Sequence, residues 1–359
     1  MKITFFIGGL SKGGAERVVC NLANILANRG HEITVLTMSD DKPSYTIEDK
    51  VIRVSLLFTS ERKNFVYNSV LRLCRFVSYL RKNKVDVYVV MLPVTTIMLL
   101  QLRFITKAKV IAAERNNPSK YPINRQKLLK ILARKADGWV FQTREVCNWY
   151  GESTGNSKVK IIPNAINPEF IQSAYTGEQR KVIVSAGRMD VQKNQELLIR
   201  AFSIISKDFA DYKLIIYGEG EMRSTLTSVS EELGIKDKVE IPGYTTNIGE
   251  KIKDASLFVL SSDFEGMPNA LMEAMALGLP CVSTDCDGGG ASFLIDNEKN
   301  GLIVPKGNVD LLATAMNRML TDREFAQNCG REARKICERL APERIYGEWE
   351  RYIQEVVNA

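Results

Sequence analysis

The sequence predicts an α/β protein made of two doubly wound, Rossmann-like domains. Three observations predict it. Short apolar runs alternate with segments of helical periodicity along the whole chain, the pattern of parallel sheets covered on both faces. The length of 359 residues fits two domains of about 100–200 residues each. The composition, 45% apolar and 25% charged with 24 Gly and 11 Pro, excludes disordered, collagen-like and coiled-coil chains.

In chain order, the first half predicts strands over 3–7, 33–37, 51–56, 85–91, 109–113, 138–141 and 159–162. Between the first two strands, Val18, Leu22, Ile25 and Leu26 fall on one helical face, and Gly30 supplies the stop. The second half predicts strands over 182–186, 213–217, 239–241, 257–260, 281–284 and 302–304, then helices over 309–320, 323–338 and 342–357. The polar stretch Ser173–Gln179 reads as a linker between a first domain, 1–172, and a second, 178–342. In open parallel sheets ligands sit at the carboxyl ends of strands, so two such domains facing across a cleft suit group transfer between two molecules.

Composition narrows the chemistry. Seven Cys with no Cys-x-x-Cys argue against a disulfide framework and a four-cysteine zinc site. One histidine, His31, excludes sites needing two or three and reads as a structural loop residue. The N-terminal apolar run stops at Gly8-Gly9 and reads as a strand rather than a signal peptide. The stretch 85–102 is broken by Asp86, Pro93 and Thr95-Thr96, so no membrane span is expected and the chain reads as cytoplasmic. Residues 1–176 carry 27 Lys/Arg and 13 Asp/Glu, a net +14 against −7 for the remainder. A basic first half faces something anionic. Aromatics do not interleave with the cations as in single-strand binding, so a membrane surface or a diphosphate-bearing acceptor is favoured over nucleic acid.

Three segments carry candidate chemistry. Gly8–Arg17 joins a strand to a helix with four glycines, Gly13 and Gly14 at the helix start, and fits neither the P-loop nor the dinucleotide spacing; it reads as a tight turn or as a close approach to phosphate. Gly187-Arg188 to Lys193-Asn194 follows a strand; two cations there suit a departing diphosphate, although an isolated Arg–Lys pair is usually solvated surface. In Ser261–Gly278, Glu265 lies in a turn and Glu273 in the helix after it. The two carboxylates suit sugar and ribose hydroxyls, and the turn Gly266-Met267-Pro268-Asn269 suits a phosphate. Asp285-Cys286-Asp287 has the form of a metal motif but reads as turn chemistry, with no metal expected.

The Glu265-x7-Glu273 spacing, Gly13-Gly14-Ala15-Glu16-Arg17, the Gly187-Arg188…Lys193-Asn194 segment, Pro163-Asn164-Ala165-Ile166 and Tyr217-Gly218-Glu219-Gly220 resemble the family 4 retaining glycosyltransferases of the GT-B fold, in order over nearly the whole chain, and among them a capsule and exopolysaccharide subgroup. The resemblance implies a nucleotide-sugar donor, most simply a UDP-sugar, on the second domain and an acceptor on the first. It implies that Arg188 and Lys193 hold the diphosphate, Glu265 the transferred sugar and Glu273 the ribose. Gly14 would approach the phosphate, Gly187 and Gly218 would border it, and Gly243 and Tyr244 would line the base. It implies a final helix, 343–359, crossing back onto the first domain with Trp349 and Tyr352. Where many members have a histidine after the fifth strand, this chain has Arg115, which stays protonated and cannot act as a base but can hydrogen-bond a hydroxyl or the diphosphate.

Val66, Val70, Leu73, Val77 and Leu80 recur at helical spacing, with Arg72, Arg75 and Lys82 largely off that face. This reads either as a crossover helix with a solvated basic face or as a contact with membrane or polyprenyl diphosphate, extended by Arg125 and Lys130. The resulting expectation is metal-independent, cofactor-free, retaining transfer of a hexose or N-acetylhexosamine to a polyprenyl-diphosphate-linked saccharide at the inner membrane face, in capsule, exopolysaccharide or O-antigen assembly. A non-catalytic sugar-nucleotide-binding protein and a GT-B epimerase are the alternatives.

Overall fold

The computed structural model describes every residue except Lys12, Gln172, Ser173, Ala174 and Thr176. Three positions of the expected linker therefore lie outside the described residues. The chain divides into two compact units, Met1–Asn164 with Glu343–Ala359, and Ala165–Pro342.

The first unit holds strands β1 (Lys2–Ile7), β2 (Glu32–Thr37), β3 (Ile52–Ser55), β4 (Val87–Met91), β5 (Lys109–Ala113), β6 (Gly138–Phe141) and β7 (Lys158–Ile161). They form one parallel sheet in the order β3-β2-β1-β4-β5-β6-β7. Its helices are α1 (Gly14–Asn28), α2 (Phe65–Lys82), α3 (Pro93–Gln101), α4 (Ile123–Leu132) and α5 (Arg144–Tyr150). The central strands are buried on both faces; Val87–Met91 is buried throughout, so it reads as an unbroken apolar run rather than an alternating one.

The second unit holds α6 (Gln195–Ile205), α7 (Arg223–Glu232), α8 (Ile248–Ile252), α9 (Asn269–Ala276), α10 (Gly290–Leu294), α11 (Val309–Thr321), α12 (Arg323–Ala333) and α13 (Ile336–Arg339). Its strands are β8 (Arg180–Ala186), β9 (Lys213–Tyr217), β10 (Val239–Gly243), β11 (Ala255–Leu260), β12 (Cys281–Asp285) and β13 (Leu302–Pro305), parallel and ordered β10-β9-β8-β11-β12-β13. The last helix, α14 (Pro342–Val357), belongs almost wholly to the first unit, where Trp349, Tyr352, Ile353 and Val356 are buried.

Two expectations need correction. The helix expected over 323–338 is two, because the ladder breaks at Arg334-Lys335 between α12 and α13. The stripe Val66, Val70, Leu73, Val77 and Leu80 on α2 is covered only towards its end: Val66, Val70 and Leu73 are exposed, Val77 is half-buried, and Leu80 is buried together with Phe76.

Each sheet reverses strand order once, between β1 and β4 in the first unit and between β8 and β11 in the second. Such switch points open a crevice at the carboxyl ends of the strands.

Candidate functional site

The loops after β8 and β11, at the switch point, carry Arg188, Lys193 and Glu265, the charged residues that the sequence singles out in the second unit. After β8 the chain turns through Gly187 to Asn194, which takes a left-handed conformation (φ 44°) and caps α6 through its side-chain oxygen. Asn tolerates that conformation and caps helices well. Asn194 Nδ2 also donates to Asp263 Oδ1 at 2.9 Å, and Asp263 N to Gln192 O at 2.9 Å, so the loops after β8 and β11 are bonded together.

That bonding places Lys193 Nζ 2.5 Å from Glu265 Oε1, with Glu265 buried and the Lys193 side chain only 15% exposed. Ser262 Oγ donates to the same Oε1 at 2.7 Å, and Gln192 Nε2 lies 3.3 Å from Oε2. The carboxylate is thus fixed from three sides, the condition for a side chain that must present one geometry to a ligand. The Asp285-Cys286-Asp287 turn supports it through backbone, with Glu265 N donating to Asp287 O and Asp287 N to Asp263 O. Asp287's carboxylate pairs with Lys306. Among the described residues no group of three or more metal-ligating side chains is present.

Three sequence-flagged glycines line the ends of neighbouring strands. Gly187 N donates to Tyr217 O at 2.9 Å and Gly218 N to Gly243 O at 3.0 Å. Gly218 has φ 144°, and a Cβ there would overlap the carbonyl oxygen of Gly187. The backbones approach this closely only because side chains are absent. A Cβ on Gly187 would lie 3.2 Å from Lys193 Cε, so the lysine stem passes directly over it. Gly266 to Pro268 lead into α9, on which Glu273 is buried one turn in; Gly290 packs so tightly there that a Cβ would overlap Gly266 O. Arg188 is farther out: its guanidinium is 72% exposed and lies 3.1 Å from Asp190. Tyr244, beyond β10, is 54% exposed.

In the first unit, Arg115 follows β5 and is buried. Its Nη2 donates to Asn164 Oδ1, while Nε and Nη1 have no hydrogen-bond partner. Burial pulls its pKa down to about 10. Gln142, after β6, donates to the same Asn164 oxygen at 2.9 Å and leaves its own Oε1 unpaired. Neighbouring Glu114 accepts from Tyr121 at 2.7 Å and Tyr150 at 2.9 Å, yet burial still raises its pKa. At the β1/β4 switch point, Gly14 opens α1, Gly13 is its N-cap, and Leu92 takes φ 74°, a strained conformation for a branched residue. Sequence reasoning missed Ser262, Gln192 and Gln142; the first two lie inside segments it had flagged.

Three of the outlying cations are engaged within the unit. Arg75 forks onto Glu61 at 2.6 and 2.7 Å, Arg72 Nε donates to Met38 O at 3.0 Å, and Lys130 lies 4.2 Å over the Trp149 ring. Lys82 ends α2 and is exposed, while Arg125, in α4, is half-buried.

Comparison with known proteins places the chain in a family. Residues 12–170 match the family model "Glycosyltransferase Family 4" and residues 167–336 match "Glycosyl transferases group 1". The chain is 30% identical, over 89% of its length and 90% of the relative's, to N-acetylgalactosamine-N,N'-diacetylbacillosaminyl-diphospho-undecaprenol 4-alpha-N-acetylgalactosaminyltransferase of Campylobacter jejuni. It is 27% identical, over all of both chains, to a second Campylobacter jejuni enzyme, an alpha-1,4-N-acetyl-D-galactosaminyltransferase acting on an undecaprenol-linked saccharide. An exopolysaccharide phosphotransferase of Streptomyces coelicolor is 29% identical over the whole chain, which spans 41% of that longer protein. The structure of Anabaena HepE with UDP and glucose superposes with a TM-score of 0.85 at 17% identity, covering 99% of each chain. The fold is GT-B, and the chain belongs to the family 4 glycosyltransferases. It is a glycosyltransferase of polysaccharide biosynthesis.

Proposed function

We propose that the protein transfers a hexose or N-acetylhexosamine from a UDP-sugar to a polyprenyl-diphosphate-linked saccharide, with retention of configuration and without metal, at the cytoplasmic face of the membrane. The observation that carries this reading is the Lys193–Glu265 pair at the β8/β11 switch point, held by Ser262 and Gln192. Lys193, with Arg188 and the backbone N–H groups of Gly266, Met267 and Asn269, offsets the charge that develops on the diphosphate. Glu265 holds sugar hydroxyls and Glu273 the ribose. Gly187, Gly218, Gly243 and Tyr244 border the nucleotide. The acceptor is carried by the first unit, where Gly13 and Arg115 face it. The acceptor hydroxyl attacks the anomeric carbon from the side the diphosphate leaves. The bond to the diphosphate breaks, the bond to the acceptor oxygen forms, and the hydroxyl proton passes to the departing phosphate oxygen, so no protein base is required. The undecaprenol-linked substrates in the names of the two Campylobacter relatives and the UDP bound in the HepE structure support acceptor and donor.

The test is UDP release from a panel of UDP-sugars incubated with lipid-linked acceptor. Glu265→Gln keeps the shape and most hydrogen bonds but removes the charge, and turnover should fall about a hundredfold or more. Undiminished turnover in that variant contradicts the assignment.

A further inference from the structure

Three neighbouring strands of the first unit each deliver one polar residue past their carboxyl ends. Arg115 follows β5, Gln142 follows β6 and Asn164 follows β7, and the three strands are adjacent in the sheet. Arg115 Nη2 and Gln142 Nε2 both donate to Asn164 Oδ1, the second at 2.9 Å. A guanidinium can only donate, so Asn164 turns its oxygen toward it. Gln142, meeting the same oxygen, must offer its amide N–H and aim its own oxygen elsewhere. Arg115 is only 9% and Gln142 3% exposed, yet Arg115 Nε, Arg115 Nη1 and Gln142 Oε1 have no hydrogen-bond partner. Buried polar atoms are rarely left this way.

The unpaired atoms define the group that would complete them. Glu114, the adjacent carboxylate, accepts from the Tyr121 and Tyr150 hydroxyls and from the backbone N–H groups of Arg115 and Asn116, not from the guanidinium. The bonded partner of the guanidinium is a neutral amide, and a buried cation in that state is costly until an anion joins it. A diphosphate diester brings charge but only acceptors, so it would leave Gln142 Oε1 unpaired. A sugar hydroxyl accepts and donates but brings no charge. A carboxylate beside a hydroxyl does both: it offers an anion to Arg115 and an O–H to Gln142. A hexuronic acid carries the two on one ring. Because Arg115 and Gln142 meet at a single oxygen, their free atoms lie within reach of one sugar residue.

We propose that Arg115 and Gln142 form a subsite for an acidic sugar of the substrate: Arg115 holds the carboxylate of a hexuronic acid residue, and Gln142 Oε1 accepts a hydrogen bond from a neighbouring hydroxyl of the same ring. The carboxylate belongs either to the end residue of the acceptor, which the first unit carries, or to the sugar of the donor. The inference rests on the transferase reading in taking the ligand for a substrate, but its test is binding and not turnover.

The experiment is thermal unfolding of the full chain, at constant ionic strength, with methyl glucuronide, methyl galacturonide and their neutral counterparts methyl glucoside and methyl galactoside, and separately with UDP-glucuronate and UDP-glucose. Affinity is read from the rise in melting temperature with ligand concentration. The wild type should bind at least one acid about tenfold or more tightly than its neutral counterpart. Arg115→Met removes the charge and keeps the apolar stem. It should erase that preference while melting no lower than the wild type, because the lost cation had no counter-charge. Preference for a free methyl uronide assigns the carboxylate to the acceptor; preference shown by UDP-glucuronate alone assigns it to the donor. Equal binding of acids and neutral sugars by the wild type overturns the proposal, as does a preference that Arg115→Met retains. A variant melting well below the wild type makes the guanidinium a structural group and also overturns it. UDP release in the absence of any acid preference would keep the transferase reading and remove only the subsite. Acid preference without UDP release from any donor would do the reverse.

Discussion

Lys193 and Glu265 are seventy-two residues apart in sequence and 2.5 Å apart in space. A buried pair of this kind contributes modestly when intact, but removing one partner strands the other charge. Lys193→Ala should therefore cost about 3–5 kcal/mol of stability in urea unfolding, and activity with it. The double variant Lys193→Met, Glu265→Gln should recover much of the stability and none of the turnover. Recovery of both would mean that the pair is a fold element only. Glu114 offers a second residue-level test. Its folded-state pKa is raised by burial, so the folded protein holds its proton where the unfolded chain has lost it. Stability must fall as pH rises from the ordinary carboxylate pKa, about 4.5, toward the raised folded value. Glu114→Gln should flatten that decline, seen as a smaller difference between unfolding free energies at pH 5 and pH 8. An unchanged difference contradicts the account. At this scale the sequence was most readable where a residue's role is set by its own chain neighbours: the glycines at 187, 218 and 243 and the caps follow from backbone geometry. Ser262 on Glu265 and Gln142 on Asn164 depend on which strand ends become neighbours, and no local spacing encodes that.

Among the elements, α14 shows how much a single helix supplies. Its Tyr352 hydroxyl lies 2.6 Å from Lys158 O and 3.1 Å from Trp139 O, and it fills the space above Gly138, where a Cβ would lie 2.5 Å from that oxygen. Glu350 joins Arg29 at 2.6 Å and His31 at 2.8 Å. His31 is thus a structural residue with a named partner. Gly138→Ala should destabilise the first unit by about 1–3 kcal/mol by displacing Tyr352, measured by thermal or urea unfolding, while leaving nucleotide-sugar affinity unchanged. An unaffected midpoint would show that the hydroxyl has room to move. The strands were legible because buried parallel strands are short apolar runs bounded by turns, and the structure moves fewer than half of their ends, each by one or two residues. Helix α2 was legible as a helix, but its apolar stripe is buried only at Leu80 and exposed at Val66, Val70 and Leu73, because periodicity states which residues share a face and not how much of the helix its neighbours cover.

At the scale of the whole molecule, the first half carries +14 and the second −7. No described helix is long and apolar enough to cross a membrane. A basic half suits an anionic acceptor, and an acidic half with Arg188 and Lys193 at its switch point suits a nucleotide that must be held and released. The reversal of strand order at β8/β11 brings Lys193 and Glu265 to the same crevice. The family motifs signalled this through residue spacing alone, whereas the strand order behind it emerges only once the sheet is built. The most direct test is amide hydrogen exchange of the full chain with and without a saturating UDP-sugar. At about 100 times Kd the ligand should add about 2.7 kcal/mol of protection, concentrated in residues 187–194 and 263–273. Protection confined to the first unit, or none with any nucleotide sugar, would contradict a donor seated on the Lys193–Glu265 pair.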